Sequence, residues 1–503
     1  MRSPPSSDPP SEPSAGRTHV VVDRREALKA GAALGLGAVA GFGSDGPRGL
    51  SAAEVGGVAR RRSPGAPGTE ANALDTPERG PGPQERPRPG PAPRDLLAVA
   101  PMETVRIGFV GVGGQGGSHV KNFLAIEGVE IVALCDIDEA RNREVASWVV
   151  ADGRPEPRLY GRDERDFVRM CEQEELDLVF TATPWEWHVP VCLSAMENGK
   201  NAATEVPAAY TLDDCWALVE AAEKYTKHCV MMENCNYDRP EMMVFHMVRL
   251  GMFGEVLHAE CGYLHDLRAI KFSDHGEGLW RRAHSWVRNG NLYPTHGLGP
   301  VANVMDINRG DRFDYLVSMS SPSRGLQEYA RDHFPEDAPQ RRETFALGDV
   351  NGSLIRTARG RTIYLSHNTN LPRPYSRIHM VEGTRGLFHG YPNRVYIEGR
   401  SPHHRWESVE DYRDEFEHPL WKDLRKLSAG AGHGGMDYIE DYRLIKCLRE
   451  GLPTDMNVYD AAAISAVCPL SEWSVANRSR PADFPDFTRG RWKSWPELGI
   501  LRA

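Results

Sequence analysis

Apolar residues fall into two kinds of run along this chain. Residues 105–110, 129–134, 176–181 and 229–232 are short, mostly hydrophobic runs, and 201–204 is a short segment in the same alternation. Runs of that length, rich in Val, Ile and Leu, predict strands covered on both faces. A helical pattern begins near Ser118, and two more cover 189–198 and 212–225. Strand and helix in alternation build a parallel sheet whose sites lie beyond the carboxyl ends of its strands. Three segments stand there and read as loops: 183–188, 205–207 and 233–236.

After about Gly254 the period changes. Segments 255–265, 314–320, 344–357, 362–368 and 378–382 read as strands, several with polar and apolar residues alternating as in a sheet with one wet face. Segments 438–450 and 458–476 read as helices. The predicted class is α/β: an N-terminal Rossmann domain with a parallel sheet over 102–236, and a C-terminal α+β domain with a large open, mostly antiparallel sheet over 237–503.

The first hundred residues follow neither pattern. Arg24 and Arg25 precede a short Ala/Gly/Leu run ending near Phe42. Paired arginines before a mildly apolar segment predict a twin-arginine export signal within 1–50, and with it a periplasmic or extracellular destination. The run is shorter than the roughly 20 apolar residues of a membrane span, so contact with the membrane is expected only during export. Residues 51–101 are rich in Pro, Gly and Arg and read as a disordered linker.

Composition narrows the function classes. The net charge of −10 argues against nucleic acid as a partner. The nine cysteines, from Cys135 to Cys468, contain no CxxC pair and match no zinc pattern, so they read as buried apolar residues and no metal is predicted.

Gly111, Gly113 and Gly116 form a GxGxxG turn directly after the first strand, with Gly114 and Gln115 inside it, and Asp136 lies 20 residues beyond Gly116 at the end of the second strand. The glycines allow a tight turn, close approach of a pyrophosphate and close helix–strand packing, and the acid suits a ribose with free hydroxyls. This order of elements predicts NAD. Further along, Asn291 to Pro300 reads NLYPTHGLGP. Its glycines and prolines predict a turn, yet Tyr293 and His296 are both groups that move protons. His433 and Asp437 stand in a glycine-rich loop before a helix, where Asp437 reads as a helix cap.

From about Val105 to Trp492 the chain resembles the Gfo/Idh/MocA superfamily, most of whose members are sugar or polyol dehydrogenases. It departs from that pattern twice. Glu205-Val206-Pro207 has valine where the dehydrogenases carry lysine, and Tyr293 stands where they carry aspartate. Together with Trp185 to His188, Trp280-Arg281, Tyr293 to Pro300 and Gly432 to Asp437, these departures resemble glycoside hydrolase family 109, whose members are NAD-dependent α-N-acetylgalactosaminidases. The resemblance implies that Gly114, Gln115, Asp136, Trp185, Glu186, Trp187, His188, Glu205, Val206 and Asn234 line the cofactor. It implies that Arg281, Tyr293, Pro294, Thr295, His296 and Tyr375 meet the sugar, with Tyr263 a further contact. Gln115 stands where many relatives carry arginine.

The expected substrate is a glycan or small glycoside with a terminal amino sugar. The expected chemistry is oxidation at C3, elimination, water addition and re-reduction, with retention. Such a cycle needs no pair of flanking carboxylates, and Tyr293 and His296 are the expected catalytic pair, with base and acid unassigned. The alternatives are an NAD-dependent sugar or polyol oxidoreductase, which the absent lysine disfavours, and a binding protein that keeps NAD as a structural group. An exposed face of the second sheet leaves room for a homodimer.

Overall fold

The computed structural model describes residues 97–502. The segments expected to be an export signal and, as far as residue 96, a linker lie outside the described residues. Residues 97–101, at the end of the predicted linker, pack on the folded body. Leu97 and Val99 lie against apolar clusters, and the next residue, Met102, donates its N–H to Arg449 O.

The first sheet has six strands: β1 (Val105–Val110), β2 (Val129–Cys135), β3 (Arg158–Tyr160), β4 (Leu178–Thr181), β5 (Asn201–Thr204) and β6 (Cys229–Met231). All neighbours pair in parallel, in the order β3-β2-β1-β4-β5-β6. The order reverses beside β1, so a crevice lies at its carboxyl end, where the glycine turn stands. Helices cover both faces, which is why β1, β4 and β5 are almost wholly buried. The helix Trp185–Glu197 begins four residues before the predicted 189–198, so residues 185–188, read as loop, form its first turn. The segment read as loop at 233–236 is likewise a short 3-10 helix, Asn234–Tyr237.

The second sheet has nine strands: β7 (Val256–Leu264), β8 (Phe313–Ser320), β9 (Asn351–Thr357), β10 (Thr362–Asn368), β11 (Met380–Gly383), β12 (Gly386–His389), β13 (Arg394–Ile397), β14 (Glu407–Ser408) and β15 (Ala482–Asp483). Their order is β14-β13-β12-β11-β7-β10-β9-β8-β15, antiparallel except for the central pair β7 and β10. Burial alternates along β9, and the outer face shows Met319, Leu354 and Tyr364 to solvent.

Three further sequence expectations about these elements need correction. The strand expected over 344–357 starts only at Asn351, because the amides of Ala346 and Leu347 instead donate to the carbonyls of Trp286 and Ser285. The helix expected over 458–476 is two, Val458–Ser465 and Val467–Ala476. Pro469 has no N–H to offer the carbonyl of Ser465, so the ladder breaks there. The third concerns NLYPTHGLGP, which is no plain turn: Thr295–Val304 is a helix with Pro300 inside it. Its glycines serve packing. A Cβ at Gly297 would lie 2.4 Å from Gly262 N on β7, and one at Gly299 would lie 2.7 Å from the Glu233 side chain. Glycine therefore lets the helix settle onto the strand that carries Tyr263.

The helix Met436–Glu450 returns to the first domain. Its Asp441 binds His119 and Asn122 of the helix Gly114–Leu124, and its Asp437 accepts a bond from Asn234. All nine cysteines are buried free thiols.

Candidate active site

The nucleotide end is built from backbone. Gly111 has φ of +80°, and a Cβ there would meet the Ala182 backbone at 2.9 Å. A Cβ on Gly116 would come within 2.0 Å of Gly111 O, so only glycine brings this helix so close to the turn. At Gly113 and Gly114 a Cβ would meet open space. The helix begins at Gly114, four residues earlier than expected, so its free N–H groups face that space and suit a pyrophosphate. Asp136 Oδ2 accepts from Val112 N at 2.8 Å, which places the acid beside the turn. Arg141, missed in the sequence, donates to Val112 O and Gly113 O at 2.7 and 2.8 Å and braces the turn.

Below the turn lies a buried chain of charge. His119 sits between Asp441 (Nδ1, 2.9 Å) and Glu205 (Nε2, 2.8 Å), and the amide of Gln115 is 3.2 Å from the same Nε2. Burial disfavours the imidazolium, but the carboxylates of Asp441 and Glu205 outweigh it and raise its pKa well above the ordinary histidine value. Glu205 mirrors this: burial opposes its ionisation, and the bond to His119 holds its pKa below the usual value. Val206, buried, adds no charge and offers its N–H to Glu205 Oε2 at 3.1 Å. His188 stands between the carbonyls of Pro207 (2.8 Å from Nδ1) and Thr183 (2.9 Å from Nε2), and its single ring N–H donates to one of them, so the Trp185 turn lies against the Glu205 loop. Glu186 lies 3.9 Å from His284, whereas Trp187 packs away from the cluster, against Phe167.

The sugar end is built from side chains. The ring of Tyr293 lies 4.5 Å from that of Tyr263, 4.9 Å from His296 and 5.8 Å from Trp185. Tyr375 lies 6.1 Å from Tyr263. The Arg281 guanidinium stands 5.1 Å from the Tyr293 ring centroid and 5.2 Å from that of Trp185, with its Nε 2.6 Å from Glu277. Arg281 comes from the helix Gly278–Val287, which the hydrophobic pattern did not disclose. Pro294 and Thr295 are buried at the helix start. Burial raises the Tyr293 phenol well above its ordinary pKa, against the opposing charge of Arg281, so it stays protonated.

Glu233 was not singled out in sequence and is central here. It is fully buried at the end of β6, and its Oε1 lies 2.8 Å from Nδ1 of half-buried His296. A carboxylate at Nδ1 keeps the ring proton there and leaves Nε2 as the basic atom. Cys235 is near enough to Glu233 and His296 for one ion to touch all three. Burial, however, pushes its thiol well above the usual range, against the thiolate that a metal prefers. Asp437 is not the cap expected: it lies inside the helix, where it accepts from Asn234 at 2.7 Å and pairs with His433 at 2.8 Å.

The structure thus gathers Tyr263, Arg281, Tyr293, His296 and Tyr375 with Trp185, while the glycine turn, Asp136, Glu205 and Asn234 follow the carboxyl ends of β1, β2, β5 and β6. Residues 105–233 match the family model "Oxidoreductase family, NAD-binding Rossmann fold", and 237–494 match "Glycosyl hydrolase 109, C-terminal domain". A glycosyl hydrolase family 109 protein of Solibacter usitatus (strain Ellin6076) is 50% identical over 401 residues, 79% of this chain and 91% of the relative. One from Shewanella pealeana (strain ATCC 700345 / ANG-SQ1) is 48% identical, covering 80% and 90%. In fold the chain is similar to a levoglucosan dehydrogenase solved with NADH and L-sorbose (TM-score 0.59, 19% identity, 76% of this chain and 100% of that one). It is also similar to an inositol dehydrogenase homolog from Azotobacter vinelandii solved with NAD+ (TM-score 0.58, 19% identity, 76% and 97%). The open cradle at Gly113 and Gly114 fits the dinucleotide that this domain type binds. The chain belongs to glycosyl hydrolase family 109, an enzyme family here built on an NAD-binding Rossmann domain.

Proposed function

We propose that this protein releases terminal N-acetylgalactosamine from glycosides by an NAD-dependent oxidation–elimination cycle with retention. One observation carries the reading: His296, oriented by buried Glu233, stands beside a Tyr293 held in its protonated form. A base next to a neutral phenol suits removal of a carbon-bound proton and protonation of a leaving oxygen. Hydrolysis by two carboxylates is disfavoured, because the acids at this end are engaged, Glu233 with His296 and Glu277 with Arg281.

Bound NAD would supply a hydride acceptor for C3 of the sugar, with the O3 hydroxyl proton passing to solvent, and would return the hydride at the end. Gly113, Gly114, Asp136, Glu205 and Asn234 are the residues that would hold it. A ketone at C3 makes the C2 hydrogen acidic, and His296 Nε2 is the base that takes it. Tyr293 then gives its proton to the departing oxygen on C1. Water adds to C1 of the resulting enone and gives a proton to the Tyr293 phenolate, while His296 returns its proton to C2. Arg281 faces this place with a permanent charge: burial opposes it, and the Glu277 carboxylate sustains it. It is the group that would hold the enolate oxygen or the acetamido carbonyl. Tyr263 and Tyr375 complete the wall.

The reading as an NAD-dependent sugar or polyol oxidoreductase meets Val206, a buried apolar side chain where such enzymes use lysine. Export through the twin-arginine pathway belongs to the same proposal and rests on Arg24, Arg25 and the run after them.

The test uses the purified protein with its cofactor and p-nitrophenyl α-N-acetylgalactosaminide in deuterated water. The expected result is nitrophenol release, deuterium at C2 of the freed sugar and no net NADH. Steady NADH formation from free sugars with no release would establish the oxidoreductase instead.

A further inference from the structure

The aromatic cluster does not end at the buried site. From Tyr263 it continues to Tyr375 at 6.1 Å and then to Tyr391 at 6.2 Å, with the rings tilted at 77° and 66°. Exposure grows along this row: Tyr263 is buried, Tyr375 is half-buried and Tyr391 is 40% exposed.

The outer end is held at a conformational cost. Tyr391 has φ of 56°, and Ile378 and His379 have φ of 63° and 46°. A bulky or β-branched residue in the left-handed region is a true outlier, and such strain gathers at binding and catalytic sites. Ile378 centres a three-residue turn closed by His379 N to Arg377 O at 2.7 Å, and Gly390 N bonds His379 O at 3.0 Å. The two strained segments are therefore tied to each other.

Arg377 locks them further. It is buried, bonds Glu241 at 2.7 Å and also pairs with Asp238. Its Nη1 donates to Tyr375 Oη at 3.2 Å, and its guanidinium lies 5.6 and 5.9 Å from the centroids of the Tyr375 and Tyr391 rings. One buried cation thus sets the positions of both phenols. An aromatic ring left open to water but fixed in place offers an apolar face with a polar rim. A sugar ring has the matching form: an apolar C–H face and hydroxyls at its edge.

We propose that Tyr391, with Tyr375, forms a subsite for the second sugar of a glycan, the residue to which the terminal amino sugar is joined. The proposal rests on the glycosidase reading for the direction of the chain, with the amino sugar at Tyr293 and the rest of the glycan leading outward past Tyr375.

The test compares two ligands on the cofactor-loaded protein: methyl α-N-acetylgalactosaminide, and a disaccharide with the same amino sugar α-linked to galactose. Binding is measured by calorimetry and release of the amino sugar by chromatography. Tyr391→Ala is expected to weaken disaccharide binding about tenfold and leave the methyl glycoside unchanged, while Tyr391→Phe keeps the wild-type preference. Tyr391→Ala that binds both ligands as the wild type does, or loses both equally, overturns the subsite. Binding of the disaccharide by wild type without release of amino sugar sinks the glycosidase reading alone, and the calorimetric comparison still decides the subsite. A wild type that binds neither sugar overturns both.

Discussion

The two ends of the crevice are built by different means. At the nucleotide end, the shape comes from backbone: a left-handed Gly111, a Gly116 in contact with Gly111 O, and a helix start at Gly114. At the sugar end it comes from side chains carried by separate elements. Tyr263 ends β7, Arg281 lies on one helix, His296 starts another, Glu233 follows β6 and Tyr375 sits in a loop. A backbone site tolerates change in most side chains but none in its glycines. A side-chain site depends on each group and on the partner that aims it.

That contrast predicts different failures. The largest effect is expected at His296. His296→Asn should lower turnover about a thousandfold, within the range for loss of a positioned base. NAD binding, followed by protein fluorescence, should stay as in wild type, because the nucleotide end does not use this residue. Loss of NAD binding in this variant would erase the distinction between the two ends.

Gly116→Ala should fail in the opposite way. Its methyl group would lie 2.0 Å from a backbone oxygen that cannot move aside. A destabilisation of about 3 kcal/mol, the upper part of the range for overpacking, is expected in urea unfolding, together with loss of bound NAD. A folded Gly116→Ala protein that holds NAD normally would show that the close approach is dispensable.

The smallest effect concerns His119, which joins the two domains. Its pKa is raised in the folded protein, so its contribution is fully present below the ordinary histidine value near 6.5 and is lost as pH climbs through the raised folded value. Asp441 is also raised, by burial first, so its contribution is likewise lost as pH rises, starting lower, from the ordinary aspartate value of 3.8. The melting temperature should therefore fall as pH rises above about 6.5. His119→Gln should start lower and flatten that slope, by about 2 °C across the interval. An unchanged slope would mean that other groups set the pH dependence.

Legibility in the sequence followed the same division. Gly111, Gly113, Gly116 and Asp136 lie within one βαβ unit, where spacing along the chain is nearly spacing in space. Tyr293, His296 and Arg281 were recognised through resemblance, since an isolated tyrosine or histidine says little alone. Glu233 and His119 went unread because their partners lie 63 and 322 residues away in the chain. The glycines after His296 misled for a related reason: glycine marks turns when only neighbours in sequence are known, but here it clears space for β7 and Glu233.

The sequence by itself determined what depends on local period and local backbone: the parallel strands, the helices between them, the glycine cradle and the class of cofactor. Only the tertiary structure decided which nitrogen of His296 is basic, why Tyr293 keeps its proton and how Arg377 holds two tyrosines in a row. Those properties come from burial and from charges brought together across the fold, and neither can be counted along a chain.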